Sequence, residues 1–150
     1  MGSVYPDIRY IRRNKQIEQS IQQQVCSYLR KEYPHIMFRT DGGGLKLSKT
    51  QAIQYARGQS HNGWPDLFLP YPSRGYHGLY LELKKDGTAI YLTRGKNAGK
   101  LVGNEHIKNQ AYILTRLNHL NYFARFAVGT KKAIDIIDWY LEKPKNLTIF

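Results

Sequence analysis

Three charged side chains interrupt two short apolar runs near the middle of the chain. Asp66 opens the run PDLFLP, and Glu82 and Lys84 lie inside LYLELKK. Successive side chains of a strand point to opposite faces, so Glu82 and Lys84 would share one face with Tyr80, while the three leucines share the other. If the two runs pair as neighbouring strands, Asp66 lies beside Glu82, and two such close carboxylates repel each other unless a cation lies between them.

This combination of residue types suits the hydrolysis of a phosphodiester. Mg²⁺ is held by few carboxylates, keeps several waters and takes oxygens from substrate phosphates. Lys84 can hold a phosphate, or orient and help deprotonate the attacking water. An acid and a base two residues apart on a strand are more often only its solvated face. The chemical interpretation therefore depends on whether Asp66 joins them.

Hydrophobic periodicity and turn residues predict the elements that would position these side chains. The first helix carries one apolar stripe and ends at Pro34. Ser48 and Gln51 have capping-box spacing, and Gly58 can close the helix that they begin. The elements follow as helix 16–31, strand 35–40, helix 49–57, strands 66–69 and 79–85, helix 104–120, strand 121–129 and helix 131–142. This order predicts a mixed α/β sandwich around one sheet.

The length of 150 residues predicts one folded domain, over 16–150. Residues 1–15 carry four basic side chains without a clear period and are interpreted as a basic N-terminal arm. Residues 86–103 contain four glycines and three basic residues. They are interpreted as a Gly-rich basic insertion that forms a mobile loop, with a small hairpin as an optional part of it.

The composition favours a polyanionic partner. The chain has 23 Lys and Arg against 11 Asp and Glu, a formal charge of +12, which favours nucleic acid. A merely basic surface is the alternative. No apolar run approaches the roughly 20 residues that span a bilayer, and the first residues lack a secretory apolar region, so a cytoplasmic location is expected. The single cysteine, Cys26, is interpreted as a small buried hydrophobe and excludes a multi-cysteine zinc site.

A second motif, GGGLKLSKT at 42–50, nearly spells a phosphate-binding loop. The pattern requires a glycine at position 48, where this chain has Ser48. A turn and a helix cap explain the residues equally well, so no nucleotide cofactor is expected. Lys46 and Lys49 could still contact a phosphate backbone.

The spacing of PD at 65–66, then fifteen residues, then ELK at 82–84 resembles the PD-(D/E)xK nuclease superfamily. GWPDLFLP and GLYLELK, with flanking residues from about 18 to 141, resemble the VRR-NUC (virus-type replication-repair nuclease) family, stand-alone phage type. The resemblance implies a restriction-endonuclease-like core, in which helices flank a mixed central sheet. It also implies a nuclease that requires Mg²⁺ or Mn²⁺ and acts as a homodimer on branched DNA such as four-way (Holliday) junctions. A phage-encoded protein would act in the host cytoplasm.

The same resemblance implies roles for individual residues. Asp66, Glu82 and the backbone carbonyl of Leu83 would hold the metal, and Lys84 would be the catalytic lysine. Glu18 matches the acid of the first helix, which would bind the metal directly or through water. An ordinary acid at the helix boundary is the alternative reading of Glu18.

Gln110 matches a glutamine that would steady the site, although it could be a plain surface residue. The insertion at 86–103 departs from the family pattern, and we interpret it as a loop that reaches over DNA or is exchanged with a partner subunit. The basic residues expected to contact the DNA backbone are Arg9, Arg12, Arg13, Lys46, Lys49, Lys85, Arg94, Lys96 and Lys100.

Two other functions remain open at this point. The chain could be a DNA-binding module with a degenerate site, which would bind DNA in a salt-sensitive way without cutting it. It could also be a nuclease that prefers flaps, forks or nicked duplex. The intact set of Asp66, Glu82 and Lys84 argues against a degenerate site.

Overall fold

The computed structural model describes residues 20–41 and 47–143. The order of helices and strands in these residues is the predicted one. The elements are α1 (Ile21–Glu32), β1 (Arg39–Thr40), α2 (Lys49–Arg57), β2 (Leu67–Leu69), β3 (Leu79–Lys84), α3 (Glu105–His119), β4 (Phe123–Val128) and α4 (Thr130–Tyr140). Among the described residues no helix is long and apolar enough to cross a membrane.

The four strands form one mixed sheet in the order β1-β2-β3-β4. β2 is antiparallel to both neighbours, whereas β3 and β4 are parallel and are joined through α3. Leu67 lies opposite Leu81 in the β2–β3 pair. Continuing this register by one residue sets Asp66 opposite Glu82. The predicted pairing of the two apolar runs is therefore confirmed.

Helices cover both faces of the sheet, each with its own apolar cluster. α1 and α4 pack on the face that carries the three leucines of β3. α3 packs on the opposite face, over β3 and β4. The first cluster includes Val25, Leu29, Leu67, Leu69, Leu79, Leu81, Ala133, Ile137 and Tyr140, and the second Ile113, Leu114, Leu117 and Ala124.

The start of the first helix differs from the prediction. Ser20 has extended backbone angles, and its hydroxyl accepts a hydrogen bond from the Gln23 N–H at 3.2 Å, so it is the N-cap and α1 begins at Ile21. The predicted start at residue 16 is wrong for this helix, and residues 16–19 lie outside the described part of the chain. Cys26 is buried in α1, as predicted.

The strand predicted at 35–40 is reduced to the two residues Arg39 and Thr40. Its sheet partner in the described part of the chain, β2, is three residues long and lies between Pro65 and Pro70. This register would set Met37 opposite Pro70, and prolines lack the N–H that a ladder requires, so β2 cannot lengthen to pair with residues 35–37. Pairing length, not local propensity, sets this boundary.

Helix α2 forms where predicted. The Ser48 hydroxyl and Gln51 side chain make both bonds of the capping box, and Gly58 is the C-cap. None of its nine residues is buried. The helix is attached by a hydrogen bond from the Tyr55 hydroxyl to the Asp41 carboxylate.

The insertion at 86–103 contains a small irregular hairpin. Leu92 N–H donates to the Lys100 carbonyl at 2.8 Å, and Val102 N–H donates to the Ile90 carbonyl at 3.0 Å. Ile90 is buried and anchors this hairpin to the domain. The small hairpin that the prediction allowed within this loop is present.

Candidate active site

Asp66 lies where the backbone pairing between β2 and β3 ends, and this position orients its side chain. β2 begins one residue later, so its backbone does not pair with the last part of β3. The Asp66 side chain replaces the missing backbone acceptor, since its Oδ2 accepts a hydrogen bond of 2.8 Å from the Leu83 N–H. Gly63, at φ 86°, turns the chain against the α3 backbone next to Gln110. A side chain at Gly63 would be strained there, because positive φ favours glycine.

Glu82 is a buried carboxylate with an incomplete set of hydrogen bonds. Its relative exposure is 3%. Oε1 lies 3.1 Å from the Lys84 Nζ and accepts a 2.6 Å hydrogen bond from the Gln110 Nε2. Oε2 has no hydrogen-bond partner among the described residues. Such an atom is costly in a folded protein unless another group satisfies it.

The surroundings of Glu82 disfavour its charged form. Burial is the main cause, and the neighbouring Asp66 carboxylate adds to it. Lys84 acts in the opposite direction, but the net result raises the pKa of Glu82 to about 8. A buried acid beside a second acid is a frequent feature of functional sites.

These donors fit a divalent cation. Asp66 and Glu82 supply hard oxygens side by side, and a cation would satisfy Glu82 Oε2 and relieve the carboxylate repulsion. The N–H and C=O of one strand residue point to the same side, so the Leu83 carbonyl faces the same opening as its N–H. No group of three or more His, Cys, Asp or Glu residues forms a metal site within 20–41 and 47–143. The predicted further ligand, Glu18, lies outside that range.

Lys84 lies next to Glu82 on the same face of β3 and is mostly buried, with a side-chain exposure of 15%. Its ion pair with Glu82 holds the ammonium group at the pair of carboxylates. An ammonium in this position can bind a phosphate oxygen or stabilise a developing negative charge.

Gln110 and a histidine that the sequence analysis missed form the α3 side of the site. The Gln110 amide donates to Glu82 Oε1, and its Nε2 lies 3.0 Å from His106 Nε2. The amide nitrogen is a donor, so His106 Nε2 is the acceptor of this contact. Gln110 is buried, not a plain surface residue. The spacing of four residues on a predicted helix could have pointed to His106.

The predicted DNA-contacting residues in the described part of the chain are exposed and spread over three segments. Lys49 begins α2, Lys85 follows β3, and Arg94, Lys96 and Lys100 lie in the 86–103 hairpin. The remaining predicted contacts, Arg9, Arg12, Arg13 and Lys46, lie outside the described residues.

A second feature of this face escaped the sequence analysis. Arg39, Phe68 and Tyr80 lie opposite one another in the β1–β2–β3 register. This row is two residues along the strands from Asp66 and Glu82, on the same face. It lines a cavity of about 490 Å³ whose other walls come from residues after α2 and from Trp64.

Comparisons with known proteins support the fold. A solved structure described as a VRR_NUC domain protein aligns with 82% of this chain and 89% of its own length, at 19% sequence identity and a TM-score of 0.52. No protein-family model and no curated protein matches the chain. The likeness establishes the fold: a four-stranded mixed sheet between helices, consistent with a PD-(D/E)xK-like core and with the VRR-NUC fold.

Proposed function

We propose that this chain is an endonuclease that requires Mg²⁺ or Mn²⁺ and hydrolyses phosphodiester bonds in branched DNA. The observation that carries the proposal is the convergence of Asp66, Glu82 and Lys84 at the end of β2, with Glu82 buried and one of its oxygens unsatisfied among the described residues. The VRR-NUC fold of the structural neighbour supports the same class of reaction. A structural ion pair would not require a second carboxylate in this position.

In this proposal Asp66, Glu82 and the Leu83 carbonyl hold the metal, with Glu18 as a further ligand. The metal would neutralise charge on the scissile phosphate and make the attacking water more acidic. Lys84 holds a phosphate oxygen or orients the water. Gln110 positions Glu82 through the 2.6 Å hydrogen bond to Oε1.

The preferred substrate in this proposal is a four-way junction, which would make the protein a Holliday junction resolvase of the stand-alone phage type, acting in the cytoplasm. Resolution needs two cuts, and a homodimer provides two sites related by symmetry. The formal charge of +12 supports backbone binding without sequence readout. Light scattering at two protein concentrations tests the dimer, and a monomer at both would contradict it.

The activity is tested with end-labelled four-way junctions, flaps, forks, nicked duplexes and intact duplexes of shared sequence, in Mg²⁺, Mn²⁺ or EDTA. We expect metal-dependent cleavage, fastest on the junction. Asp66→Asn should lower the cleavage rate at least about a thousandfold, the several kcal/mol that a metal ion contributes to such reactions. The matched control is Asp135→Asn, which alters an exposed acid on α4 that pairs with Lys131, which is also exposed.

Three outcomes would contradict the proposal: no cleavage of any substrate in either metal, cleavage that persists in EDTA, or an Asp66→Asn variant that cuts at the wild-type rate. Steeply salt-dependent DNA binding without cleavage would favour the degenerate binding module instead. Faster cleavage of flaps, forks or nicks would retain the nuclease and replace the junction as substrate.

A further inference from the structure

The row of Arg39, Phe68 and Tyr80 has no role in the proposed hydrolysis, yet it directly adjoins the site. The row lies two positions along the strands from Asp66 and Glu82, on the same face, which is a distance of about 6.6 Å. This spacing is about twice the roughly 3.4 Å that one nucleotide occupies along a strand of a stacked duplex, so it suits a strand that is unstacked at this point. A strand whose phosphate lies at the carboxylates therefore brings its neighbouring nucleotide to this row.

The cavity over the row has the dimensions of a ligand site. Its volume of about 490 Å³ is within the range of roughly 300–1,000 Å³ found for small-molecule sites. Its walls combine aromatic rings with a few polar groups. The residues that matter here are Arg39, Gln59, Ser60, Trp64, Phe68 and Tyr80.

The aromatic side chains are only half-buried. Phe68 and Tyr80 stack on each other with ring centroids 4.3 Å apart and an interplanar angle of 13°. Trp64 lies 6.4 Å from Tyr80. All three line the cavity and are partly exposed. Aromatic side chains in basic grooves bind unpaired bases by stacking, and they do so with little sequence preference.

The polar groups of the cavity suit the edge of a base. The Arg39 guanidinium can donate hydrogen bonds, and the Gln59 amide can both donate and accept, whereas the Ser60 hydroxyl is already paired with His61 Nδ1 at 2.8 Å. The cavity also contains the Asp41 carboxylate, which accepts hydrogen bonds from Tyr55 and Gln59. These bonds offset the repulsion that the acid would exert on a nearby phosphate.

We propose that this cavity receives one unpaired nucleobase of the DNA strand that is cut, from the nucleotide next to the scissile phosphate. The inference rests on the proposed function and specifies its substrate class: DNA in which a base beside the scissile phosphate can leave the stack. The cost of taking a base out of the stack is lowest where the base is already unpaired, whereas a regular duplex must first be unpaired and unstacked. The cavity thereby favours branched DNA over duplex.

The first test compares a variant that fills the cavity with one that leaves it open. Ser60 is exposed at the rim, so Ser60→Phe fills the cavity from outside and Ser60→Ala is the matched control. Circular dichroism establishes that both fold. The substrates are junctions in which nucleotides around the mapped scissile phosphate are replaced, one at a time, by an abasic analogue.

We expect one abasic position to lower kcat/KM about tenfold for wild type and Ser60→Ala, the effect of losing one stacked base. On intact DNA, Ser60→Phe should lower kcat/KM by a similar factor, because the base can no longer enter the cavity. Making that same position abasic should then lower the kcat/KM of Ser60→Phe no further, because the interaction between base and cavity is already lost. The proposal is overturned if no abasic position matters, or if the two losses simply multiply.

A second test needs no cleavage. The chain has two tryptophans, so Trp139→Phe leaves Trp64 as the only reporter, in the cavity wall. Single-stranded DNA added in EDTA should quench its fluorescence in the Ser60→Ala background and not in the Ser60→Phe background. Equal quenching, or none in either background, contradicts the proposal. If DNA quenches the fluorescence in the Ser60→Ala background alone but no metal-dependent cleavage is found, the cavity is supported and the nuclease is contradicted. If the protein cuts DNA at the same rate whichever nucleotide is abasic, only the cavity is contradicted.

Discussion

The two faces of β3 differ in chemistry although they alternate along six residues. One face carries Leu79, Leu81 and Leu83, which pack against α1 and α4 and are at most 7% exposed. The other carries Tyr80, Glu82 and Lys84 beneath α3. The leucine face is fully apolar, whereas the α3 face contains three ionisable groups, and one Glu82 oxygen there has no hydrogen-bond partner among the described residues.

This difference shows how the strand separates stability from chemistry. Apolar burial on the leucine face stabilises the fold by roughly 25 cal/mol for each Å² removed from water. Burial of Glu82 opposes folding, because a buried charge is costly unless it is fully paired. The α3 face therefore depends on the leucine face for its geometry, and variants should affect the two faces differently.

The largest expected effect is on the leucine face. Leu81→Ala removes a side chain with 0% exposure, and we expect the free energy of unfolding to fall by about 2–5 kcal/mol. Urea denaturation measures this loss. Leu120→Ala is the control, because Leu120 is 63% exposed and should change stability by less than about 0.5 kcal/mol. At a temperature where Leu81→Ala is still folded, its cleavage rate should match wild type, and a rate reduced a hundredfold would show that the faces are not separable.

An intermediate effect is expected on the α3 face when metal is added. A ligand that binds only the folded state stabilises it by about 2.7 kcal/mol at a hundredfold excess over its Kd. Mg²⁺ at that excess should therefore raise the Tm of wild type. Asp66→Asn, which loses one of the two carboxylates, should show no such rise, and Asp135→Asn should behave as wild type. Equal Mg²⁺ stabilisation of Asp66→Asn and wild type would refute metal binding at Asp66.

The smallest effect is expected from the helix side of the same face. Gln110→Leu removes the hydrogen bond to Glu82 Oε1 and should weaken Mg²⁺ binding about tenfold, as for other residues that orient a ligand. Without metal, the free energy of unfolding should change little. The substitution loses the hydrogen bond to Glu82, but it also removes the buried Gln110 Oε1, which has no partner among the described residues, and the two effects offset each other. Calorimetric titration measures the affinity. Asn109→Leu, at an exposed neighbour on α3, is the control, and equal affinities in both variants would exclude a positioning role for Gln110.

Much of the fold follows from local sequence pattern. Alternating leucines identify β3, the Ser48 capping box identifies α2, and the pairing of the two apolar runs follows from their proximity and length. The exceptions depend on contacts between distant segments. β1 is short because β2 is short, and α1 starts at Ile21 because Ser20, not an earlier residue, supplies the cap.

The candidate site also contains some features that local sequence pattern predicts and others that depend on contacts between distant segments. Asp66, Glu82 and Lys84 could be placed on one face from strand alternation and a single pairing. His106 could have been found from its spacing of four residues from Gln110 on a helix. The cavity could not, since it requires the register between β1 and β2. A two-residue strand gives no pattern from which a register can be deduced. The place of Glu18 stays a prediction, since it lies outside the described residues.

The exposure of helix α2 has a consequence for local unfolding. None of its residues is buried, whereas the central strands β2 and β3 bury five leucines. Segments with few buried contacts open locally at a much lower free energy than global unfolding requires. The amide hydrogens of α2 should therefore exchange with solvent well before those of β3. One wall of the aromatic cavity, at residues 58–60, follows directly from this helix, so this wall should open locally at a lower free energy than β3 does.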